Sequence, residues 1–137
     1  NESLNIFMGG TTGKDITFPP VAKNMSNVSA YVAIKNISVN IPDVYNYEPF
    51  DFTGPKKFDE KTGYRTKSML VVPLTNHEDE VIGVLQLLNA RDVKDKKRVI
   101  PFSPDYESLV ESLASQAAVA VSNTSLIWLS RMSRPEV

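Results

Sequence analysis

The chain has 137 residues, 42% of them hydrophobic and 23% charged, and its 15 basic and 16 acidic side chains leave a net charge of −1. This is one domain's worth of sequence with enough apolar content to bury a core, and it lacks the basic excess of a protein that binds a nucleic-acid backbone. Cysteine is absent and the single histidine is His77, which excludes disulfides, thiolate nucleophiles, cysteine-ligated zinc, thioether-linked chromophores and metal sites built from several histidines. No apolar run approaches the roughly 20 residues that span a bilayer, and the start does not read as a signal peptide. A cytoplasmic domain with no membrane or nucleic-acid partner is expected.

Taken in chain order, Ser3–Met8 alternates polar and apolar residues, the period of a half-buried strand, and Gly9–Gly13 is a turn cluster. Asp15–Phe18 alternates again, with Pro19-Pro20 expected to end that strand. Ser26 offers an N-cap for a helix through Val28, Ala30, Tyr31, Val32 and Ile34. A short strand over 39–41 stops at Pro42. Residues 42–62 read as a long connection without regular structure, a length typical of functional lids. Its aromatics, Tyr45, Tyr47, Phe50, Phe52 and Phe58, are too many to be left in water.

Ser68–Leu74 and Val81–Leu88 predict an antiparallel hairpin closed by the polar turn Thr75–Glu80. Residues 91–98 form a charged surface loop. Ser103-Pro104, with Asp105 and Glu107 behind it, opens a helix predicted to run to about residue 130. Leu109, Leu113, Ala117, Ala120, Thr124 and Ile127 keep a spacing near 3.5–3.6 along it. The stripe suits either packing on the sheet or pairing with a second copy. The fold class is α+β, an antiparallel sheet with helices on it.

For catalysis the sequence offers little. There is no Gly-x-Ser-x-Gly, His-Glu-x-x-His or glycine-rich phosphate loop, and His77 sits in a polar turn. No catalytic residue, metal site or cofactor is assigned, and the chain is expected not to be an enzyme by itself. For binding, the helix start at Ser26–Ala30 presents free N–H groups that can hold a phosphate without Lys or Arg, although an ordinary cap explains it too. Thr62 and Thr66 stand four residues apart, a spacing that places two hydroxyls on one face. Gln86 interrupts an apolar strand on the face of Val84 and Leu88, where its amide must find a partner in the protein or in a ligand. Phe7 and the aromatic loop can stack on a planar ligand or fill core space.

Asn40–Tyr45, Phe58–Thr66 and Val81–Asn89, with Pro101-Phe102-Ser103 and Leu113–Ala120, resemble the GAF domains, small-molecule sensor modules of cyclic nucleotide phosphodiesterases, bacterial adenylyl cyclases, kinases and signalling hydrolases. The resemblance covers nearly the whole chain. It implies a single GAF domain over 1–137 with a GAF/PAS-like central antiparallel sheet, the family's first helix and strand missing, and a long C-terminal helix (104–130) leading to a linker.

The cyclic-nucleotide-binding subset is the most similar. Its site residues fall on Phe7 and Met8, on Val28 and Ser29 for the phosphate, on Asp59, Thr62 and Thr66 with an aromatic at Phe52 or Phe58 in the lid, and on Gln86 in a strand. Asn89-Ala90-Arg91, Phe102 and Asp105–Glu107 match the phosphodiesterase-type signature in part, and that motif is read as structural, with Arg91 and Asp105 standing for its bridge or the bridge absent. The resemblance thus implies a ligand, cAMP or cGMP with cAMP favoured, a homodimer through the C-terminal helix, and a covalently linked output domain. The alternatives are a ligand-free dimerisation and relay module, or a GAF domain for another metabolite.

Overall fold

In the computed structural model, backbone is described for residues 3–10, 15–22, 25–120 and 127–132, and side chains for 25–120. The elements in chain order are β1 (Ser3–Gly10), β2 (Asp15–Ala22), α1 (Val28–Lys35), β3 (Val39–Ile41), a 3₁₀ turn (Val44–Asn46) and α2 (Thr53–Thr62). They continue as β4 (Met69–Thr75), β5 (Val81–Leu88), β6 (Ala90–Arg91), β7 (Val99–Ile100), α3 (Pro104–Ala120) and β8 (Ile127–Met132). The main sheet has the order β2-β1-β8-β5-β4-β3, and β6 and β7 form a small ribbon at the charged loop. The α+β class, the antiparallel hairpin of β4 and β5, and the helix that opens at Pro104 follow the sequence reading, and β1 with β2 and β3 with β4 also pair antiparallel.

β4 explains why the sheet is a two-sided wall. Its run Met-Leu-Val-Val-Pro-Leu is apolar without alternation, the pattern of a strand buried on both faces. Met69 and Val71 join Val84 and Leu88 of β5 in a core under α1 and α2. Leu70, Val72 and Leu74 join Val110, Ala114 and Ala118 of α3 on the other side.

Four elements differ from expectation. The helix predicted over 104–130 is described as far as Ala120, and Ile127–Met132 is not helix but a strand parallel to both β1 and β5, so the sheet is mixed. Ile127-Trp128-Leu129, β-branched and aromatic, favours extended backbone, which outweighs the continuing apolar period. Within α3 the buried stripe is Val110, Ala114 and Ala118, while Leu109 and Leu113 are about half exposed, with Ala117 and Ala120 beside them in solvent, so of the two uses left open for that stripe packing on the sheet is not the one seen. Small residues bring the helix closer to the sheet than leucines would allow. Thr124 lies outside the described residues.

The connection over 42–62 is not structureless, because α2 occupies its second half. Gly54-Pro55 reads as a breaker in sequence, but Pro55 stands in the first turn, where its missing N–H has no helical partner to lose. Finally, Pro19-Pro20 lies inside β2 rather than ending it. β2 is an edge strand and the register shifts opposite these prolines, the two settings in which a strand tolerates them.

The segment before β4 is stitched to the end of β5 by Asn89. Its φ of 60° is left-handed, its Oδ1 accepts from Lys67 N at 2.7 Å, and its Nδ2 donates to Arg65 O at 2.8 Å. Its own amide donates to Ser68 O at 2.8 Å. This is a structural role, as the sequence reading assigned. Asn89→Ala removes these side-chain hydrogen bonds and puts a Cβ residue without a local partner in left-handed backbone. It is expected to cost about 3 kcal/mol, measured by urea unfolding, and a cost below about 1 kcal/mol would refute the assignment.

Candidate functional site

Helix α1 starts inside the protein. Val28 is 5%, Ser29 6% and Ala30 0% exposed. Asn27, one residue later than the expected Ser26, is the N-cap, and its side chain accepts from Ala30 N at 3.1 Å. The cap therefore takes the third amide of the helix and leaves those of Val28 and Ser29 to other acceptors, at the end where the helix dipole is positive. Asp51 N donates to Ser26 O at 2.7 Å, which pins the loop before α2 beside this helix start.

Opposite stands β5. Val71 pairs with Gln86 and Pro73 with Val84, so Gln86 projects from the face that α1 covers. Ser29 Oγ donates to Gln86 Oε1 at 3.0 Å, a buried bond between residues 57 apart in sequence. Gln86 is 4% exposed, so its amide is a polar island in an apolar wall. The sequence reading left its partner open between protein and ligand. The structure supplies a protein partner and places the Nε2 donors next to the start of α1.

The roof is α2 with the loop before it. Phe50 meets Tyr31 edge to face at 5.0 Å between centroids, stacks on Tyr47 at 6.2 Å and meets Phe52 at 6.3 Å, so these loop aromatics pack on one another and on α1. On α2 itself only Phe58 and Asp59 are buried. Phe58 reaches the core that contains Val28 and meets Tyr64 edge to face at 6.4 Å.

Asp59 holds the far end of the roof. Its Oδ1 accepts from Thr66 Oγ1 at 2.8 Å, and its Oδ2 accepts from Thr66 N at 2.8 Å and from Tyr45 Oη at 2.8 Å. Burial, then the hydrogen bond and charge of Asp59, hold the Tyr45 phenol above its ordinary pKa, so it remains a proton donor through the neutral range. Arg65 stacks over the Tyr45 ring at 3.6 Å and pairs with Asp43 at 3.1 Å. Burial raises the pKa of Asp43, but the Tyr45 amide, Arg65 and Asn46 more than offset it and the net shift is downward.

The predicted residues are thus partly gathered. Val28, Ser29, Phe58 and Gln86 meet on the α1/α2 face of the sheet. Thr66 is fully buried and bonded to Asp59. Thr62 is the exposed last residue of α2, donating to Phe58 O at 2.8 Å, and left-handed Gly63 (φ 73°) follows it. Thr62 therefore closes the helix while Thr66 lies in the connection to β4, and the two share no face, because the helix ends between them. Phe7 and Met8 lie in β1, whose side chains are outside the described residues. In backbone register Met8 aligns with Ser130 and Gln86, and Phe7 with Leu129 and Leu85.

Residues 10–121 match the family described as the GAF domain. The chain belongs to the GAF family. A dual 3′,5′-cyclic-AMP and -GMP phosphodiesterase 11A from Takifugu rubripes is 34% identical over 104 residues, 76% of this chain and 10% of that protein. A dual 3′,5′-cyclic-AMP and -GMP phosphodiesterase 11 from Drosophila melanogaster is 39% identical over 64 residues, 47% of this chain and 4% of that protein. This GAF domain therefore spans a tenth or less of the relatives it matches. In fold it is similar to a type II free methionine-R-sulfoxide reductase from Thermoplasma acidophilum, with a TM-score of 0.51, 19% identity, and 82% of this chain and 71% of that chain covered.

Two residues of the GAF roof escaped the sequence reading, Tyr45 and Arg65. Tyr45 was legible only as one of several loop aromatics, and Arg65 as the residue between two threonine positions. Nothing in their spacing announces that a 3₁₀ turn and the approach to β4 meet over α2. Arg91 donates to the carbonyls of Lys96 and Lys97 at 3.2 and 3.5 Å, which closes its own loop. His77 is exposed in the β4–β5 turn. Among the described residues no helix is long and apolar enough to cross a membrane.

Proposed function

We propose that this GAF domain is a regulatory sensor that binds a cyclic nucleotide, cAMP in preference to cGMP, and relays its occupancy to an output domain elsewhere in the protein, with no chemistry of its own. The observation that carries the reading is the buried Ser29–Gln86 contact, which joins a helix start with positive dipole to an amide in the apolar wall that α1 covers. A cyclic phosphate carries one negative charge. The amides of Val28 and Ser29 offer it donors without a desolvated lysine or arginine. Gln86 Nε2 adds two N–H donors on the same side, so it serves the phosphate and ribose end rather than the base. Phe58 supplies apolar surface under the roof, and Asp59 and Thr66 fasten the roof. Phe7, Met8 and Thr62 keep their places in the proposal through the resemblance alone, as does the preference for cAMP. The names of the phosphodiesterase relatives agree with a cyclic nucleotide as ligand.

A nucleotide of about 22 heavy atoms at roughly 0.3 kcal/mol each gives about 7 kcal/mol, a dissociation constant of micromolar order. Titration calorimetry with cAMP and cGMP is expected to show saturable heat for both, tighter for cAMP. Absence of heat from either at tens of micromolar would refute the reading.

The exposed stripe of α3 favours a second element of the proposal, a homodimer. Tyr106, Leu109 and Leu113 are 45%, 55% and 53% exposed at helical spacings of three and four residues. Sedimentation with and without nucleotide separates a ligand-driven dimer from a constitutive relay module.

A further inference from the structure

We propose that Tyr45 is a positioning residue that clasps α2 shut from outside the site and so sets the rate at which the ligand leaves; the second half of this rests on the cyclic-nucleotide reading above. Besides Tyr45, helix α2 is held by Phe58 in the core, by the Asp59–Thr66 bonds and by Asp51, whose side chain accepts from Thr53 N at 2.9 Å. It has ten residues, below the length at which a helix is stable alone, and contains Gly54 and Pro55. Its N-cap position, Phe52, offers no side-chain acceptor, and only Phe58 and Asp59 are buried.

The 3₁₀ turn beside it is a fixed post. Val44 is 1% exposed and its amide donates to Lys67 O at 2.9 Å, at the segment Asn89 ties to the sheet. Asp43 caps the turn by accepting from Tyr45 N at 3.0 Å. Tyr45, next to that anchor and 37% exposed, reaches outward to α2. Its hydroxyl donates to Asp59, and Lys56, three residues earlier on α2, holds its ammonium 5.4 Å from the ring centroid. Arg65 closes the other contact at 3.6 Å and donates to Thr66 O, the residue bonded to Asp59. One side chain therefore couples the post, the roof helix and the segment leading into β4.

Tyr45→Phe keeps the ring and removes only the hydroxyl. Hydrogen exchange on the nucleotide-free chain is expected to show the amides of residues 57–62 exchanging about tenfold faster, with β4 and β5 unchanged. Unchanged exchange in α2 would overturn the clasp, as would equal acceleration of the hairpin, which would make Tyr45 an ordinary fold residue. Arg65→Lys, which retains charge but loses the planar stack, carries the same test through a smaller acceleration if Tyr45→Phe does not fold. Dissociation of a fluorescent cyclic nucleotide from Tyr45→Phe is expected to quicken by the same factor, and an unchanged rate would overturn the link from clasp to ligand exit. The exchange measurement needs no nucleotide, so a wild-type chain that binds neither cAMP nor cGMP would refute the ligand and leave the clasp standing or falling on exchange alone.

Discussion

The double variant Ser29→Ala/Gln86→Leu is expected to stay folded and to lose the nucleotide. Ser29 Oγ and Gln86 Oε1 satisfy each other in a buried position, and removing both partners strands neither. The exchange of a matched polar pair for apolar groups of similar shape is close to neutral, so unfolding free energy should change by no more than about 1 kcal/mol. Binding should respond differently. The Nε2 donors of Gln86 and the hydroxyl of Ser29 disappear from the side where the phosphate is proposed to lie, which is expected to weaken cAMP binding roughly 30-fold or more. Each single variant is the control. Ser29→Ala leaves the Gln86 oxygen buried without its donor, so it should cost more stability than the pair. Urea unfolding with calorimetric titration checks both halves, and a double variant with unchanged affinity would move the ligand away from this pair.

Thr66→Val is expected to have the largest effect of a near-isosteric change. Thr66 is fully buried and its hydroxyl bonds one oxygen of a carboxylate that is itself 6% exposed. Valine fits the space but leaves Asp59 Oδ1 without that donor. A hydrogen bond to a charged buried group contributes about 1.5–3 kcal/mol, which for a chain of this size lowers the midpoint by roughly 5–10 °C. Thr66→Ser keeps the hydroxyl and should recover most of the loss. Nucleotide affinity is expected to fall in Thr66→Val because the roof is less often closed, not because a ligand contact is lost. A thermal midpoint equal to wild type would refute the Asp59 bond.

Much of this fold is visible in local pattern. The hairpin of β4 and β5 declares itself through β-branched and leucine runs around the Asn76–Glu80 turn, where Asn76 Oδ1 accepts from the amides of Glu78 and Glu80 at 3.0 Å each. The start of α1 is visible because short polar residues before an apolar run mark a cap, and the inward face of Gln86 follows from strand alternation. The roof was hidden. Gly54-Pro55 looks like a loop, and nothing local shows that Asp59 turns back to meet Thr66 across a left-handed glycine. The stripe on α3 was legible but not its use: periodicity marks a face but not whether the sheet or another surface meets it, and it is the Val110, Ala114 and Ala118 face that packs on the sheet.

What the residues decide locally is therefore the α+β class, the hairpin, the cap of α1 and the polar position at Gln86, since each depends on neighbours a few residues away. Three-dimensional packing alone decides that Gln86 meets Ser29, that Asp59 binds Thr66 and Tyr45 instead of facing inward unaided, and that a C-terminal strand enters the sheet. These contacts join residues far apart in sequence. Buried polar groups must find partners wherever the folded chain puts them, and no local spacing records that choice.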